Sequence, residues 1–228
     1  MKATLQNAIR LYTNKRYTVA LRELHSLDDE PGKVPEIAYY LGLCYTQLQQ
    51  YDEALIYLEQ VVTTDSDLIH MYQSRMILSY IYAITGRYRL ARFELDSLIE
   101  SGYESAQVYA AYGFVAYETK NYEEAIDNLQ KAIEINPENA NALNSYGYIL
   151  CELDQNLQLA LKLCKRAVQL DDTNPAYLDS LGWAYNKIGD YDEAISYLRK
   201  ALSTAGGDKE IAEHVRIAMA ARSKKNVK

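Results

Sequence analysis

Several residue types that mark particular classes of protein are scarce in this 228-residue chain, which has three cysteines, four prolines and ten glycines. The cysteines are Cys44, Cys151 and Cys164, an odd number without a Cys-x-x-Cys pair, so neither a disulfide framework nor a zinc knuckle is indicated. The three histidines lie far apart in sequence and indicate no metal site. Because Gly and Pro are spread thinly, nothing resembles a flexible linker, and we expect one continuous domain.

Long hydrophobic runs and strand patterns are also missing. No stretch of about 18 apolar residues occurs, so the sequence predicts no membrane span. The opening "MKATLQNAIR" lacks the apolar block of a secretory signal, which predicts a cytoplasmic protein. A periplasmic or envelope-associated protein whose signal had been removed would look the same. Apolar residues recur every three or four positions rather than alternately, which predicts an all-α fold.

The common motifs of enzymes are absent as well. There is no Gly-rich phosphate loop, no Gly-x-Ser-x-Gly and no convincing arrangement of His, acid and nucleophile. Carboxylate pairs such as Asp52-Glu53 and Asp192-Glu193 fall at the start of a predicted helix, where they stabilise its positive end. We therefore expect no enzyme, no cofactor and no metal.

Charge argues against nucleic acid as the partner. The chain has a net charge of −7, and residues 35–68 contain six acidic residues and no Lys or Arg. Phosphate binding requires a basic surface.

What the chain does contain is one amphipathic helix repeated along its length. "YDEALIYLEQ" at 51–60 returns as "YDEAISYLRK" at 191–200. The Ala of this pattern recurs at intervals of 34, 37, 34, 35 and 34 residues, at Ala20, Ala54, Ala91, Ala125, Ala160 and Ala194. An aromatic residue or Leu precedes each Ala by three positions, and an apolar residue or Cys follows it by four, so each copy has one buried stripe.

A small residue stands before each of these alanines. It lies 12 positions earlier in five copies and one position further away in the sixth; the residues are Ala8, Gly42, Ser79, Gly113, Gly147 and Gly182. A small residue such as Gly costs up to about 1 kcal/mol inside a helix. Its recurrence therefore predicts a close approach of two helices, with the Ala of the second helix facing the small residue of the first.

This pattern resembles the tetratricopeptide repeat, a helix-turn-helix of 34 residues. The copies at 106–139 and 175–208 match it best, and prokaryotic members are the most similar. The resemblance implies a right-handed superhelical solenoid of six repeats within a single domain, 1–223. The repeats are 1–34, 35–68, 72–105, 106–139, 140–174 and 175–208. Three extra residues, 69–71, precede the third repeat, and the fifth carries one inserted residue in or near its turn.

The segment after the last repeat has its own pattern. Ile211, Val215, Ala218 and Met219 recur at helical spacing, and polar residues follow them. The last repeat of such an array would otherwise expose its apolar face. We therefore expect a capping helix at about 209–222 and a basic, flexible tail at 223–228.

The first helix of each repeat offers a candidate binding surface. At 100° per residue, repeat positions 4, 7, 8 and 11 face the second helix, whereas 2, 5, 9 and 12 lie on the opposite side. The resemblance implies that this opposite side lines a concave groove. Its candidate partner-binding residues are Tyr12, Tyr39, Leu43, Met76, Tyr80, Phe114, Tyr117, Tyr148 and Trp183.

Two interpretations of this row stay open. Position 9 could pack against neighbouring first helices, or it could form a ligand surface, since exposed apolar patches of several hundred Å² usually mark interaction sites. The carboxylate clamp of some family members, built from Lys, Arg and Asn, is absent. In the last three repeats the positions that would form this clamp are occupied by Ala110, Phe114, Ser145, Ala176 and Ser180.

The sequence therefore predicts a non-catalytic scaffold or adaptor that binds an apolar, and in part basic, peptide or helix of a partner protein. Two alternatives remain. The chain could form a self-assembling structural protein, and hence a homo-oligomer, or it could be the regulatory repeat region of a larger enzyme or of an envelope or motility assembly.

Overall fold

A computed structural model describes residues 4–27, 31, 34–64 and 67–225, and this part of the chain holds thirteen α-helices and no strand. The predicted all-α class is confirmed. The first twelve helices form six helix-turn-helix pairs at the positions of the six repeats. The chain divides into two compact units, residues 1–104 (unit 1) and 105–228 (unit 2). Each unit contains three pairs and is described by itself; the single domain stays a prediction.

The helices of unit 1 are α1 (Leu5–Thr13), α2 (Tyr17–His25), α3 (Pro35–Gln47), α4 (Tyr51–Thr64), α5 (Leu68–Ile84) and α6 (Tyr88–Glu100). Those of unit 2 are α7 (Ala106–Glu118), α8 (Tyr122–Ile135), α9 (Ala140–Glu152), α10 (Leu157–Leu170), α11 (Pro175–Ile188), α12 (Tyr191–Thr204) and α13 (Lys209–Lys225). Odd numbers from α1 to α11 are the first helices of the repeats.

Local sequence explains where most of the first helices begin. The side chains of Thr4, Ser105 and Asn139 each accept a hydrogen bond from a backbone N–H in the first turn of the helix that follows. Such caps satisfy donors that have no partner inside the helix. Pro35 and Pro175 occupy the first helical position, where a missing N–H costs nothing.

The six turns within the pairs share one geometry. Each contains a residue with positive φ, as at Lys120 (64°) and Gly189 (83°). The next residue then donates its N–H to a carbonyl five positions back, as Asn121 does to Ala116 at 2.8 Å. This bond satisfies a carbonyl at the end of the first helix and directs the chain into the second.

The inserted residue of the fifth repeat lies in the turn between α9 and α10, as expected. Asp154 and Asn156 both have positive φ there, and the Asn156 side chain accepts a hydrogen bond from the N–H of Leu159. The three extra residues at 69–71 lengthen the start of α5, which runs for 17 residues. In this repeat Arg75 forms an ion pair of 2.6 Å with the buried carboxylate of Glu94.

The small residues of the first helices mark close helix contacts. A Cβ built on Gly113 would lie 2.5 Å from Leu129 Cγ and 3.2 Å from the carbonyl oxygen of Ala125. Gly182 meets Leu198 and Ala194 in the same way. The predicted approach is thus present, but its nearest side chain is the Leu one turn beyond the Ala.

α13 closes the end of unit 2. Its buried residues Ile211, His214 and Ala218 pack against α11 and α12. The helix continues to Lys225, three residues beyond the expected end of the cap. The predicted tail therefore begins inside this helix at 223–225, and residues 226–228 lie outside the described residues; its flexibility stays a prediction.

Candidate functional site

In unit 1, the face opposite the second helices forms a pocket of about 470 Å³. It is lined by α1, α3 and α5, and four predicted groove residues meet in it: Tyr12, Tyr39, Leu43 and Met76. A neighbouring pocket of about 460 Å³ is lined by Met76, Tyr80 and Tyr51. All five groove residues predicted in this unit therefore lie along its first helices and border one of the two pockets.

These five residues differ in what they leave free for a partner. Tyr39 is buried, stacks on His70 with ring centroids 4.1 Å apart, and donates a short hydrogen bond to Gln73. Burial raises the pKa of Tyr39 to about 12. Leu43 is also buried, in a cluster with Ala38, Tyr39 and Val61. By contrast, 53% of Tyr80 is exposed. Tyr39 and Leu43 thus follow the packing interpretation, and Tyr80 offers a free surface.

In unit 2, the corresponding face forms a pocket of about 540 Å³. The first helices α7, α9 and α11 line it, and the loop before α13 and the first turn of α13 close one end. Three predicted groove residues, Phe114, Tyr117 and Tyr148, meet in this pocket. Phe114 is 40% exposed and is the most accessible of the three.

Two of these rings form a fixed wall. Tyr117 and Tyr148 pack edge to face with centroids 6.1 Å apart. The Tyr148 hydroxyl lies 3.5 Å from Oε1 of Glu210. Burial raises the pKa of Tyr148, and the nearby carboxylates of Glu152, Glu210 and Asp179 raise it further. The phenol therefore stays protonated and can donate a hydrogen bond at the pocket wall.

Trp183 is not part of the free surface. It is buried, and its indole stacks on the His214 ring of α13 with centroids 4.4 Å apart. Its Nε1 donates a hydrogen bond of 2.7 Å to Glu152. Trp183 therefore does not line the pocket, because α13 occupies this face of the sixth repeat, and its part in partner binding stays a prediction. The angle of 100° per residue predicts which face of α11 carries Trp183, but it does not predict that α13 covers that face.

The sequence also missed residues that α13 and its preceding loop bring to the pocket. Asp208, Glu210 and Ile211 line one side of it. The segment was expected to cap the last repeat only, and nothing in its spacing indicated that its first turn would reach the pocket lined by three earlier first helices.

The environment of the cysteines does not favour a reactive thiol. All three are buried thiols, and burial raises the pKa of Cys44 and of Cys151 to about 12. Thiols in apolar surroundings are poor nucleophiles because little thiolate forms. In the described part of the chain no cluster of His, Cys, Asp or Glu could hold a metal ion, and no helix combines the length and apolar character needed to cross a bilayer.

Comparison with known proteins agrees with this architecture. Models described as tetratricopeptide repeat match residues 35–68 and 138–205, and one described as TPR repeat matches 113–154. A TPR repeat-containing protein of Pseudomonas aeruginosa is 38% identical over 88 residues, which is 39% of this chain but 15% of that protein. The chain thus matches a small part of this relative's length.

Two solved structures show the same fold at low identity. The Cut9-Hcn1 hetero-tetramer of the APC/C has a TM-score of 0.78 and 15% identity, covering 92% of this chain and 41% of that one. YrrB, described as a TPR protein with an unusual peptide-binding site, has a TM-score of 0.56 and 18% identity over 88% and 97% of the two chains. Together with the six helix pairs, these matches show that the chain is built from tetratricopeptide repeats.

Proposed function

We propose that this protein is a non-catalytic interaction scaffold, and that it binds an apolar segment of a partner protein against the first helices. Tetratricopeptide repeat proteins act as protein-interaction scaffolds, and the peptide-binding site named for YrrB supports a peptide ligand for this fold. The observation that carries the proposal is Phe114, a large apolar side chain left 40% exposed beside Tyr117 and Tyr148 at a pocket.

The surroundings of Phe114 favour binding over packing as its role. Tyr39 and Leu43 in unit 1 are covered by neighbouring helices, whereas Phe114 is exposed and borders a pocket beside two other aromatic rings. Aromatic residues in pockets supply much of the energy of many protein interfaces, and truncating one typically costs about 2 kcal/mol or more. Tyr80 in unit 1 is exposed in the same repeat position and is the second candidate anchor.

The test compares the two phenylalanines of the chain. The partner is first captured from the native organism and identified by mass spectrometry, and its affinity is then measured with Phe114→Ala and Phe93→Ala. Phe93 is 60% exposed on α6, a second helix, and is the matched control. We expect Phe114→Ala to weaken binding roughly thirtyfold, the ratio for about 2 kcal/mol, without lowering the unfolding midpoint much. Normal binding by Phe114→Ala would remove this pocket from the proposal.

The self-assembling alternative makes a different prediction. If a second copy of the chain filled the pocket, the mass in solution would rise with concentration, and Phe114→Ala would abolish that rise. Sedimentation of the wild type and of both Phe variants separates the two functions before any partner is known.

A further inference from the structure

The pockets of unit 1 have a chemical character that narrows the proposed function, on which this inference rests. The two pockets, of about 470 and 460 Å³, share Met76 and Ile77 and form one groove along the first helices, which we call the unit 1 groove. None of the described residues that line it is Asp, Glu, Lys, Arg or His, in a chain of which 24% is charged. A charged side chain bound there would lose water without gaining a counter-charge, so the groove selects an uncharged segment.

The charge around the unit 1 groove is negative. Burial raises the pKa of Tyr40, and the carboxylate of Glu36 raises it further. Burial is also the main cause of the raised pKa of Tyr39, to which the carboxylate of Asp67 contributes. Residues 35–68 contain six acidic residues and no Lys or Arg. A segment that carries charge beyond the groove is therefore attracted when that charge is positive.

Tyrosine rings form the walls of the unit 1 groove. Tyr12 and Tyr40 meet edge to face with ring centroids 5.8 Å apart, and Tyr39 and Tyr40 do so at 5.2 Å. Tyr103 is 38% exposed at one pocket, and Tyr80 is 53% exposed at the other. Aromatic-lined grooves recognise proline-rich segments in several classes of binding domain. These walls therefore suit the flat pyrrolidine rings of a proline-rich ligand.

The polar groups of the unit 1 groove can donate hydrogen bonds. The Tyr39 hydroxyl donates to Oε1 of Gln73, which occupies the amide oxygen and leaves the two N–H donors of Gln73 for another acceptor. The hydroxyls of Tyr12 and Tyr40 make no hydrogen bond to any described residue, and both remain accessible. A segment that satisfies these groups brings hydrogen-bond acceptors to the groove.

A polyproline II segment meets this requirement better than an α-helix does. Its carbonyl groups make no internal hydrogen bonds, and proline has no N–H that would need an acceptor in the groove. An α-helix uses its carbonyl groups internally, so it would place only side chains against the tyrosine hydroxyls and the Gln73 amide. The donors of the groove thus favour an extended, proline-rich ligand.

We propose that the unit 1 groove binds a proline-rich segment of a partner protein in the polyproline II conformation. Proline rings pack on Tyr12, Tyr40 and Tyr80, and the carbonyl groups of the segment accept hydrogen bonds from the tyrosine hydroxyls and from Gln73. The segment is uncharged inside the groove and carries Lys or Arg outside it. A second copy of the chain does not offer this ligand, because its four prolines lie at least four positions apart and a polyproline II ligand repeats its contacts every three residues.

The experiment measures retention of two peptide pools on the immobilised whole chain, residues 1–228. Both pools are acetylated and amidated nonapeptides that end in Arg, with Ala, Val, Leu and Gln randomised at the variable positions. Every third position is Pro in one pool and Val in the other, because Val is apolar and of similar size but keeps its N–H and favours β conformations.

Two variants test the walls and donors of the groove. Tyr12→Phe/Tyr40→Phe removes two hydroxyls and keeps the rings, and Tyr80→Ala removes an exposed ring. Tyr57→Phe is the control, because Tyr57 is half-buried on α4 and lines neither pocket.

We expect the wild type and Tyr57→Phe to retain the Pro pool about tenfold better than the Val pool, because a segment that already has its bound conformation loses less entropy on binding. Tyr12→Phe/Tyr40→Phe should lower retention of the Pro pool several-fold through lost hydrogen bonds, and Tyr80→Ala should do so through the lost ring. Unfolding midpoints should stay close to that of the wild type, because Phe keeps the ring and Tyr80 is 53% exposed.

Three other outcomes would overturn the inference, and each differs from a failure of the proposed function. Equal retention of both pools that Tyr80→Ala abolishes would leave an apolar ligand without a requirement for proline. A preference for the Pro pool that persists in both variants would place the proline site outside the unit 1 groove. Retention of neither pool, or better retention of the Val pool, would exclude a proline-rich ligand. The proposed function would then still be decided by Phe114→Ala and the native partner.

Discussion

At the scale of single residues, the close contact at Gly113 makes a specific prediction. A methyl group there would lie 2.5 Å from Leu129 Cγ, well inside van der Waals contact. We therefore expect Gly113→Ala to lower the free energy of unfolding by about 1–3 kcal/mol, as overpacking does, although Ala favours the helix by up to ~1 kcal/mol. Urea unfolding followed by circular dichroism measures the change.

The same substitution in a Leu129→Ala protein tests whether Leu129 causes the loss of stability. In a Leu129→Ala protein the two nearest atoms are gone and only the contact of 3.2 Å with the Ala125 carbonyl oxygen remains, so adding Gly113→Ala should cost much less. This comparison is a double-mutant cycle, and residues in contact give non-additive changes. Equal costs of Gly113→Ala in both backgrounds would show that Leu129 is not the neighbour that the glycine accommodates.

Single residues also show which buried and exposed positions the sequence predicts and which it does not. The repeat pattern predicts the same buried position for Ala20, Ala54 and the four other pattern alanines. All six have zero exposure, because that position lies on the packed face of the second helix in every repeat. The same reasoning set Tyr39, Phe114 and Trp183 on one face of their helices. Their exposure differs because Tyr39 packs on His70 and Trp183 packs on His214. The spacing of residues along one helix does not predict such contacts between distant segments.

At the scale of elements, α13 is held to the last pair by a contact that depends on pH. His214 is buried beside Asp179, at 2.9 Å. Burial alone would lower the pKa of His214, but the hydrogen bond and charge of Asp179 outweigh this effect and raise it. A raised folded-state pKa stabilises the fold fully below the unfolded value of about 6.5, and the stabilisation is lost as pH rises through the folded value.

We therefore expect the pair to contribute less to stability at pH 9 than at pH 6. The measurement is the urea midpoint of the wild type and of Asp179→Asn at both pH values. Groups that titrate elsewhere affect both proteins alike, so the difference between them isolates the pair. The advantage of the wild type should shrink as pH rises. An advantage that grows or stays constant would mean that His214 is not the charged partner of Asp179.

At the scale of the whole molecule, the repeats divide into units with unequal ends. Unit 2 ends in α13, which buries Ile211 and Ala218 against the last repeat. Unit 1 ends with α6, which carries Leu90 and Phe93 at 46% and 60% exposure. The sequence predicted six similar repeats and a cap. It did not predict a division after residue 104, because the repeat period is nearly the same on both sides of it.

This asymmetry leads to a prediction about two fragments. In repeat proteins each repeat contacts its neighbours, about three repeats are needed for stability, and a capping element keeps the end soluble. Residues 105–228 meet both conditions, so we expect this fragment to be helical, to unfold cooperatively and to keep the emission wavelength of Trp183 found in the full chain. The described residues of 1–104 form three pairs without a capping helix, and for this fragment we expect lower solubility and a lower unfolding midpoint. Circular dichroism and tryptophan fluorescence measure these properties. A 105–228 fragment with little helix, or with Trp183 emission shifted to longer wavelength, would show that unit 2 needs unit 1 to hold α13 in place.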